Sequence, residues 1–171
     1  TTLPLLAGFV GGDTVAGILK AQRENAKTPW MLVDIGTNTE IVIHKGKELW
    51  FASAPAGPAF EGGNISSGMR AEPGAISVAH FKEGGWKIET IGNDIPRGIC
   101  GSGLMDILFE GVNSKLIHKD GYLPEGRLDV TDKVSLLADD VREFQLAKSA
   151  TRTAIDLLIE RAGMKPTAIY L

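Results

Sequence analysis

The stretch from Met31 to Ile43, MLVDIGTNTEIVI, limits most what this chain can become. Met31, Leu32 and Val33 form a short apolar run suited to a buried strand, and Thr39, Ile41 and Ile43 alternate with Glu40, Val42 and His44 in the rhythm of a second strand. Between the strands lies Asp34-Ile35-Gly36-Thr37-Asn38. Glycine reaches backbone angles closed to other residues, and Thr37, Asn38 and Thr39 offer hydroxyl, amide and main-chain donors that can converge on an anion. Asp34 adds a carboxylate at the strand end. A magnesium nucleotide requires this pairing: donors for phosphate oxygens, and an oxygen ligand that holds the cation directly or through water. An ordinary hairpin with Gly and Asn in its turn accounts for the same residues equally well.

The 171 residues fall in the range of one domain, or of one large lobe of a two-lobed protein, and an apolar content of 43% supports a real core. A net charge of -3 argues against a nucleic-acid partner held by a broad basic surface. No apolar run approaches the ~20 residues of a membrane helix. Cys100 is the only cysteine, which excludes an internal disulfide, makes a reducing cytoplasm the simplest setting and leaves no ligand set for an iron-sulfur cluster. The 21 glycines cluster in particular loops, as backbone that approaches something closely would require.

In chain order, Leu3 to Val10 is apolar and Gly11-Gly12 breaks the run. Asp13 is then an N-cap for a connector helix carrying Val15, Ile18 and Leu19. The segment from Asn25 to Pro29 reads as a polar bridge. After the central strands, Lys45-Gly46-Lys47 makes a tight turn and Leu49 to Ala52 returns as a strand. Residues 53–70 are dense in glycine and small side chains without helical or strand periodicity; a loop of this kind is functional more often than it is idle. Gly74–His80 and Trp86–Ile91 read as a hairpin. Gly98 to Gly103 opens a helix bearing Leu104, Ile107, Leu108 and Val112. Its entry through Gly101, Ser102 and Gly103 suits an anion, because the first helical amides lack partners within the helix; packing too close for side chains is the alternative. Residues 117–137 are turn-rich. Asp140 is an N-cap with Glu143 in the capping-box position, followed by Val141, Phe144, Ala147, Ala154, Leu158 and Ala162 along one face until Gly163 and Pro166 end the helix. Thr167–Leu171 begins a strand and the chain stops, which, with Thr1 rather than Met at the start, points to a truncated piece.

Four segments in this order, VDIGTNTEI at 33–41, AGPAFEGGNISSGMRA at 56–71, RGICGSGLMD at 97–106 and REFQLAKSA at 142–150, resemble the ATP-dependent reductive activators of corrinoid proteins. These belong to the superfamily of acetate and sugar kinases, Hsp70-type chaperones and actin. The resemblance implies an α/β fold: an actin-like, ribonuclease H-like ATPase lobe with a mixed sheet, a β-meander at the phosphate turn and flanking helices. It implies a connector helix and interlobe segment over 1–28, then over 29–171 a second lobe truncated in its last strand.

Members use ATP to help pass an electron from an iron-sulfur cluster to the cobalt of a partner's corrinoid, returning Co(II) to Co(I). By this resemblance Asp34 and Thr37 are the catalytic pair. Gly36, Thr37, Asn38 and Thr39, with Gly101, Ser102 and Gly103, meet the ATP phosphates, Asp34 holds magnesium through water, and Gln145 and Lys148 are candidates for the adenosine side. The expected partner is a corrinoid protein, with a homodimer as a further option. The cluster belongs to the full-length protein, since this chain has neither a cysteine-rich domain nor a first-lobe phosphate turn. Two other readings stay open: a phosphotransferase lobe of the acetate or sugar kinase kind, and an interaction module with a vestigial nucleotide site. His44, His80 and His118 are scattered without a metal-ligand pattern.

Overall fold

The computed structural model describes residues 10–25 and 29–171. The apolar stretch expected from Leu3 lies, apart from Val10, outside the described residues, as do positions 26–28 of the expected polar bridge. The elements in order are α1 (Gly12–Asn25), β1 (Trp30–Asp34), β2 (Thr39–Lys45), β3 (Glu48–Ala54), β4 (Ala75–Lys82), β5 (Gly85–Thr90), β6 (Gly98–Ile99), α2 (Gly101–Asn113), β7 (Arg127–Asp129), β8 (Ser135–Leu137), α3 (Ala138–Ala162) and β9 (Ala168–Tyr170). The described residues divide into two compact units, the first made of residues 10–25, 29–56 and 149–171 and the second of residues 57–148. No helix among the described residues is long and apolar enough to cross a membrane.

In the first unit four strands form a mixed sheet in the order β3-β2-β1-β9. The pairs β1–β2 and β2–β3 are antiparallel, and β9 runs parallel to β1. Both faces of this sheet are covered. Met31, Val33, Ile41 and Ile43 pack on Leu158 and Ala162 of α3, while Trp30, Leu32 and Val42 pack on Ile18 and Ala21 of α1. Two-sided burial explains why Ile41, Val42 and Ile43 form a continuous apolar run where a one-sided strand would alternate. His44, a polar position in the expected alternation, is buried and stacks on Trp30 at 4.9 Å between ring centroids.

Asp13 lies in the first turn of α1 rather than before it, and its Oδ1 accepts the Thr14 N–H at 2.8 Å. Val15, Ile18 and Ala21 form the buried stripe of α1, and Leu19 stays exposed. A two-residue turn, Gly46–Lys47, joins β2 to β3, with Gly46 at φ 65°. At the far end of α3, Lys45 Nζ donates to the Ala162 carbonyl at 3.0 Å, placing a cation on the negative end of the helix. Gly163 at φ 62° then ends α3, as its position predicts.

The second unit holds a three-stranded sheet in the order β5-β4-β6, with β4–β5 antiparallel and β4–β6 parallel. Glu83 and Gly84, both at positive φ, make the hairpin turn expected between β4 and β5. Helix α2 buries Leu104, Ile107 and Leu108, and β7 pairs with β8 in a short hairpin that the turn-rich composition of this segment conceals.

The glycine-rich segment after residue 53 is ordered and self-bonded. It holds a 3-10 turn at Pro58–Glu61, then Gly62 and Asn64 in left-handed conformation, and its Gly68 bridges Ile99 in parallel. Met69 N–H donates to the Ile99 carbonyl at 2.9 Å, and Ile99 N–H donates to the Ser67 carbonyl at 2.8 Å.

The expected N-cap at Asp140 takes a different form. Helix α3 begins at Ala138, so Asp140 sits one turn in and its carboxylate reaches back to the Leu137 N–H at 2.8 Å, the N3 half of a capping box. Its other oxygen accepts both the N–H and the hydroxyl of Ser66, at 2.7 and 3.0 Å. The side chain is 1% exposed, so three donors and no cation satisfy a buried carboxylate. Asp140→Ala strands the Leu137 and Ser66 donors and should cost about 2–4 kcal/mol in urea denaturation. Asp140→Asn should recover only part of this, because its amide nitrogen meets a donor at one end.

Candidate functional site

The turn between β1 and β2 is built from residues 35–38, with Asp34 ending one strand and Glu40 directly across the ladder from it. The sheet supplies the rigidity: Ile35 packs against the α3-side core, and Thr39 is fully buried with its hydroxyl donating to the Gly36 carbonyl at 3.4 Å. Thr37 and Asn38 are exposed at the apex, and Asp34 is half-buried beside them. The five residues singled out in the sequence, Asp34, Gly36, Thr37, Asn38 and Thr39, therefore form one continuous edge. Within it Thr39 braces the turn, while Asp34, Thr37 and Asn38 face outward.

Three carboxylates shape the field at this edge. Partial burial, then the nearby Asp13 carboxylate, raises the pKa of Asp34. Glu40 is raised mainly by burial, with further repulsion from Asp34 and Asp13, against the lowering effect of the Ser53 hydroxyl that donates to its Oε1 at 3.3 Å. Like charges held this close favour a proton or a cation between them. For a carboxylate raised in the folded state, the folded chain binds more protons than the unfolded one above the unfolded pKa. Stability is then lost as pH rises through the folded value. Asp34→Asn should accordingly raise the melting temperature at pH 7 and leave it nearly unchanged at pH 3, as scanning calorimetry at the two pH values would report.

Among the described residues, no three His, Cys, Asp or Glu side chains converge to hold a metal ion directly. The acidic edge fits a hydrated cation, in which water molecules occupy the ligand positions and carboxylates accept hydrogen bonds from them.

In the second unit, Gly101, Ser102 and Gly103 form the first turn of α2, where packing explains the glycines. A Cβ at Gly101 would lie 1.7 Å from the Phe60 carbonyl oxygen, and one at Gly103 would lie 2.1 Å from that of Ile76. The Ser102 hydroxyl donates to the Ser77 carbonyl at 2.9 Å, and the buried Cys100 thiol donates to the Ile76 carbonyl at 3.3 Å. Asp106 of α2 accepts the Ala79 N–H at 3.1 Å. Gln145 donates to the Asp120 carbonyl at 2.8 Å and braces the turn at Gly121, and Lys148 is exposed on α3.

Asp13 and Glu40 are the neighbours of Asp34 that motif reading overlooks. Strand pairing signals Glu40, since the five residues between them set it opposite Asp34 in the ladder; nothing local in the sequence signals Asp13.

Comparison with known proteins decides the family. The model for the C-terminal domain of RACo, the ASKHA domain, matches residues 28–170. The chain belongs to this family. This RACo-type ASKHA domain is 33% identical to the corrinoid activation enzyme RamQ of Eubacterium limosum, over 96% of the chain and 32% of that protein. It is 30% identical to a [Co(II) methylated amine-specific corrinoid protein] reductase of Methanosarcina barkeri, over 95% of the chain and 34% of that protein. A solved structure, a reductive activator for a corrinoid, iron-sulfur protein, superposes with a TM-score of 0.83 at 30% identity, over 95% of this chain and 30% of that one. The RACo-type domain thus spans about a third of the length of the relatives it matches, and the expected α/β ASKHA fold is the one observed.

Proposed function

We propose that this chain is the second nucleotide-binding lobe of an ATP-dependent activator that reduces the corrinoid of a partner protein from Co(II) to Co(I). The observation that carries the reading is the β1–β2 turn. It is a rigid, outward-facing edge of Asp34, Thr37 and Asn38 within a domain of the RACo ASKHA family. Thr37, Asn38 and the turn amides would orient the phosphates of ATP. Asp34, with Glu40 and Asp13 behind it, would hold the water shell of magnesium, which when bound neutralises phosphate charge. Gly101, Ser102 and Gly103 would act by fixing the start of α2, and Gln145 and Lys148 would serve the adenosine side only after the Gln145–Asp120 bond is released. A lone, buried Cys100 does not fit an iron-sulfur cluster, so the electron must reach the corrinoid from a centre these 171 residues do not hold.

Reduction to Co(I) is uphill at ordinary cellular potentials. Nucleotide can drive such a step only through its different affinity for two conformations of the complex, and a phosphate turn anchored in a sheet covered on both faces is a firm point for that difference to act on. A kinase would pass the phosphoryl group to an acceptor, whereas an activator releases free phosphate. Incubation of the full-length protein with ATP, a reductant and the corrinoid partner should therefore give inorganic phosphate in step with corrinoid reduction. A phosphorylated small-molecule product would favour the phosphotransferase reading instead.

A further inference from the structure

We propose that Thr14, in the first turn of α1, is a further positioning residue for the cation at the Asp34 edge, its hydroxyl accepting a hydrogen bond from a water of the cation's hydration shell. The inference rests on the nucleotide reading of that edge and adds to it a residue from outside the β1–β2 turn. Thr14 is 1% exposed, and its Oγ1 has no hydrogen-bond partner among the described residues. A threonine in a helix can satisfy its hydroxyl on a carbonyl one turn back, and this one does not. Buried polar atoms are nearly always paired in folded proteins. A hydroxyl left open beside a binding edge therefore points to a group that arrives with the ligand.

Strand and helix periodicity turn Thr14 toward that edge. Trp30, Leu32 and Val42 face α1. Side chains alternate along a strand, so Asp34, two residues past Leu32, and its ladder partner Glu40, two before Val42, fall on the same face. The helix meets that face closely, since a Cβ at Gly17 would lie 2.7 Å from Leu32 Cδ2. Thr14 precedes Gly17 by just under one helical turn and shares its side of α1. Asp13, the residue beside it, is near enough to repel the carboxylates of both Asp34 and Glu40. The buried face of the first turn of α1 thus lies against the Asp34–Glu40 pair.

The chemistry of this corner suits water on a cation and not a phosphate. The Thr14 N–H is taken by Asp13 Oδ1 at 2.8 Å and the Val15 N–H by the Gly11 carbonyl at 3.2 Å, so these amides of α1 do not await an anion, and three carboxylates repel one. Water bound to a cation offers its protons and needs acceptors. Carboxylates are acceptors, and a hydroxyl accepts while donating its own proton onward.

The test uses the full-length protein with Mn(II), which shares magnesium's preference for oxygen ligands, and ADP; electron paramagnetic resonance counts the free Mn(II). Thr14→Val keeps the shape and removes the hydroxyl. It should weaken binding of Mn(II) with ADP at least about fivefold, while Thr14→Ser, which keeps the hydroxyl, should stay within about twofold of the native protein. Without ligand, Thr14→Val should melt no lower than the native protein, because the hydroxyl it lacks had no partner there to lose. Native affinity in Thr14→Val, a loss shared equally by Thr14→Ser, or a lower melting temperature of Thr14→Val without ligand each overturns the proposal and leaves the nucleotide reading standing. A native protein that takes up no Mn(II) with ADP overturns both.

Discussion

Asp34→Ala in the full-length protein is expected to lower ATP-dependent corrinoid reduction at least about 100-fold, the scale on which losing a preorganised electrostatic group slows an enzyme. The fold should survive, because Asp34 is a half-buried strand terminus and its removal relieves repulsion with Asp13 and Glu40. The spectrum of any iron-sulfur centre should be unchanged, since no cluster ligand is touched. The informative contrast is Thr39→Val. Thr39 braces the turn from inside, so this variant should weaken ATP affinity and stability together, while Asp34→Ala should lose activity without losing stability. Unchanged reduction in Asp34→Ala would remove this turn from the nucleotide site.

The second large effect is on folding. Gly103→Ala puts a methyl 2.1 Å from a backbone carbonyl oxygen, that of Ile76 in β4, where no flexible side chain can yield. Strand and helix must separate, at a cost of at least about 3 kcal/mol, which is enough to unfold many domains. Gly85→Ala is the matched control, because a Cβ there meets nothing within 4 Å and the residue opens strand β5. It should be neutral or slightly stabilising, since alanine restricts the unfolded chain more than glycine does. Urea denaturation of both variants beside the native protein measures the difference directly.

The contrast between these two glycines shows what the sequence could and could not disclose. The β1–turn–β2 unit was legible because its signals are local: an apolar run, a turn of Gly, Thr and Asn, and a second strand. The hairpin across Glu83–Gly84 and the long helix ended by Gly163 were legible for the same reason. Long-range contact leaves weaker marks. The packing of Gly101 against Phe60 and of Gly68 against Gly62 appears in the sequence only as a richness in glycine, which an anion site would also produce. The motifs at 56–71 and 97–106 turn out to be two sides of one interlocked backbone arrangement, with Ile99 bonded to both Ser67 and Met69.

Asp140 shows a related effect. A carboxylate before a helical pattern is read as an N-cap, and its second task, holding Ser66 from 74 residues away, has no local trace. At the β1–β2 turn, strand pairing brings Glu40 to Asp34, but Asp13 reaches the same place only through the docking of α1 on the sheet. Local chemistry thus outlined the candidate site, and tertiary packing supplied its electrostatics.

If ATP acting at this lobe drives corrinoid reduction in a partner, the Co(II) electron paramagnetic resonance signal of the corrinoid protein, mixed with the full-length activator and a low-potential reductant, reports it before and after ATP is added. The signal should persist without nucleotide and disappear on addition of magnesium-ATP, with release of free phosphate. A Co(II) signal that ATP leaves untouched, or that disappears equally well without ATP, would contradict it.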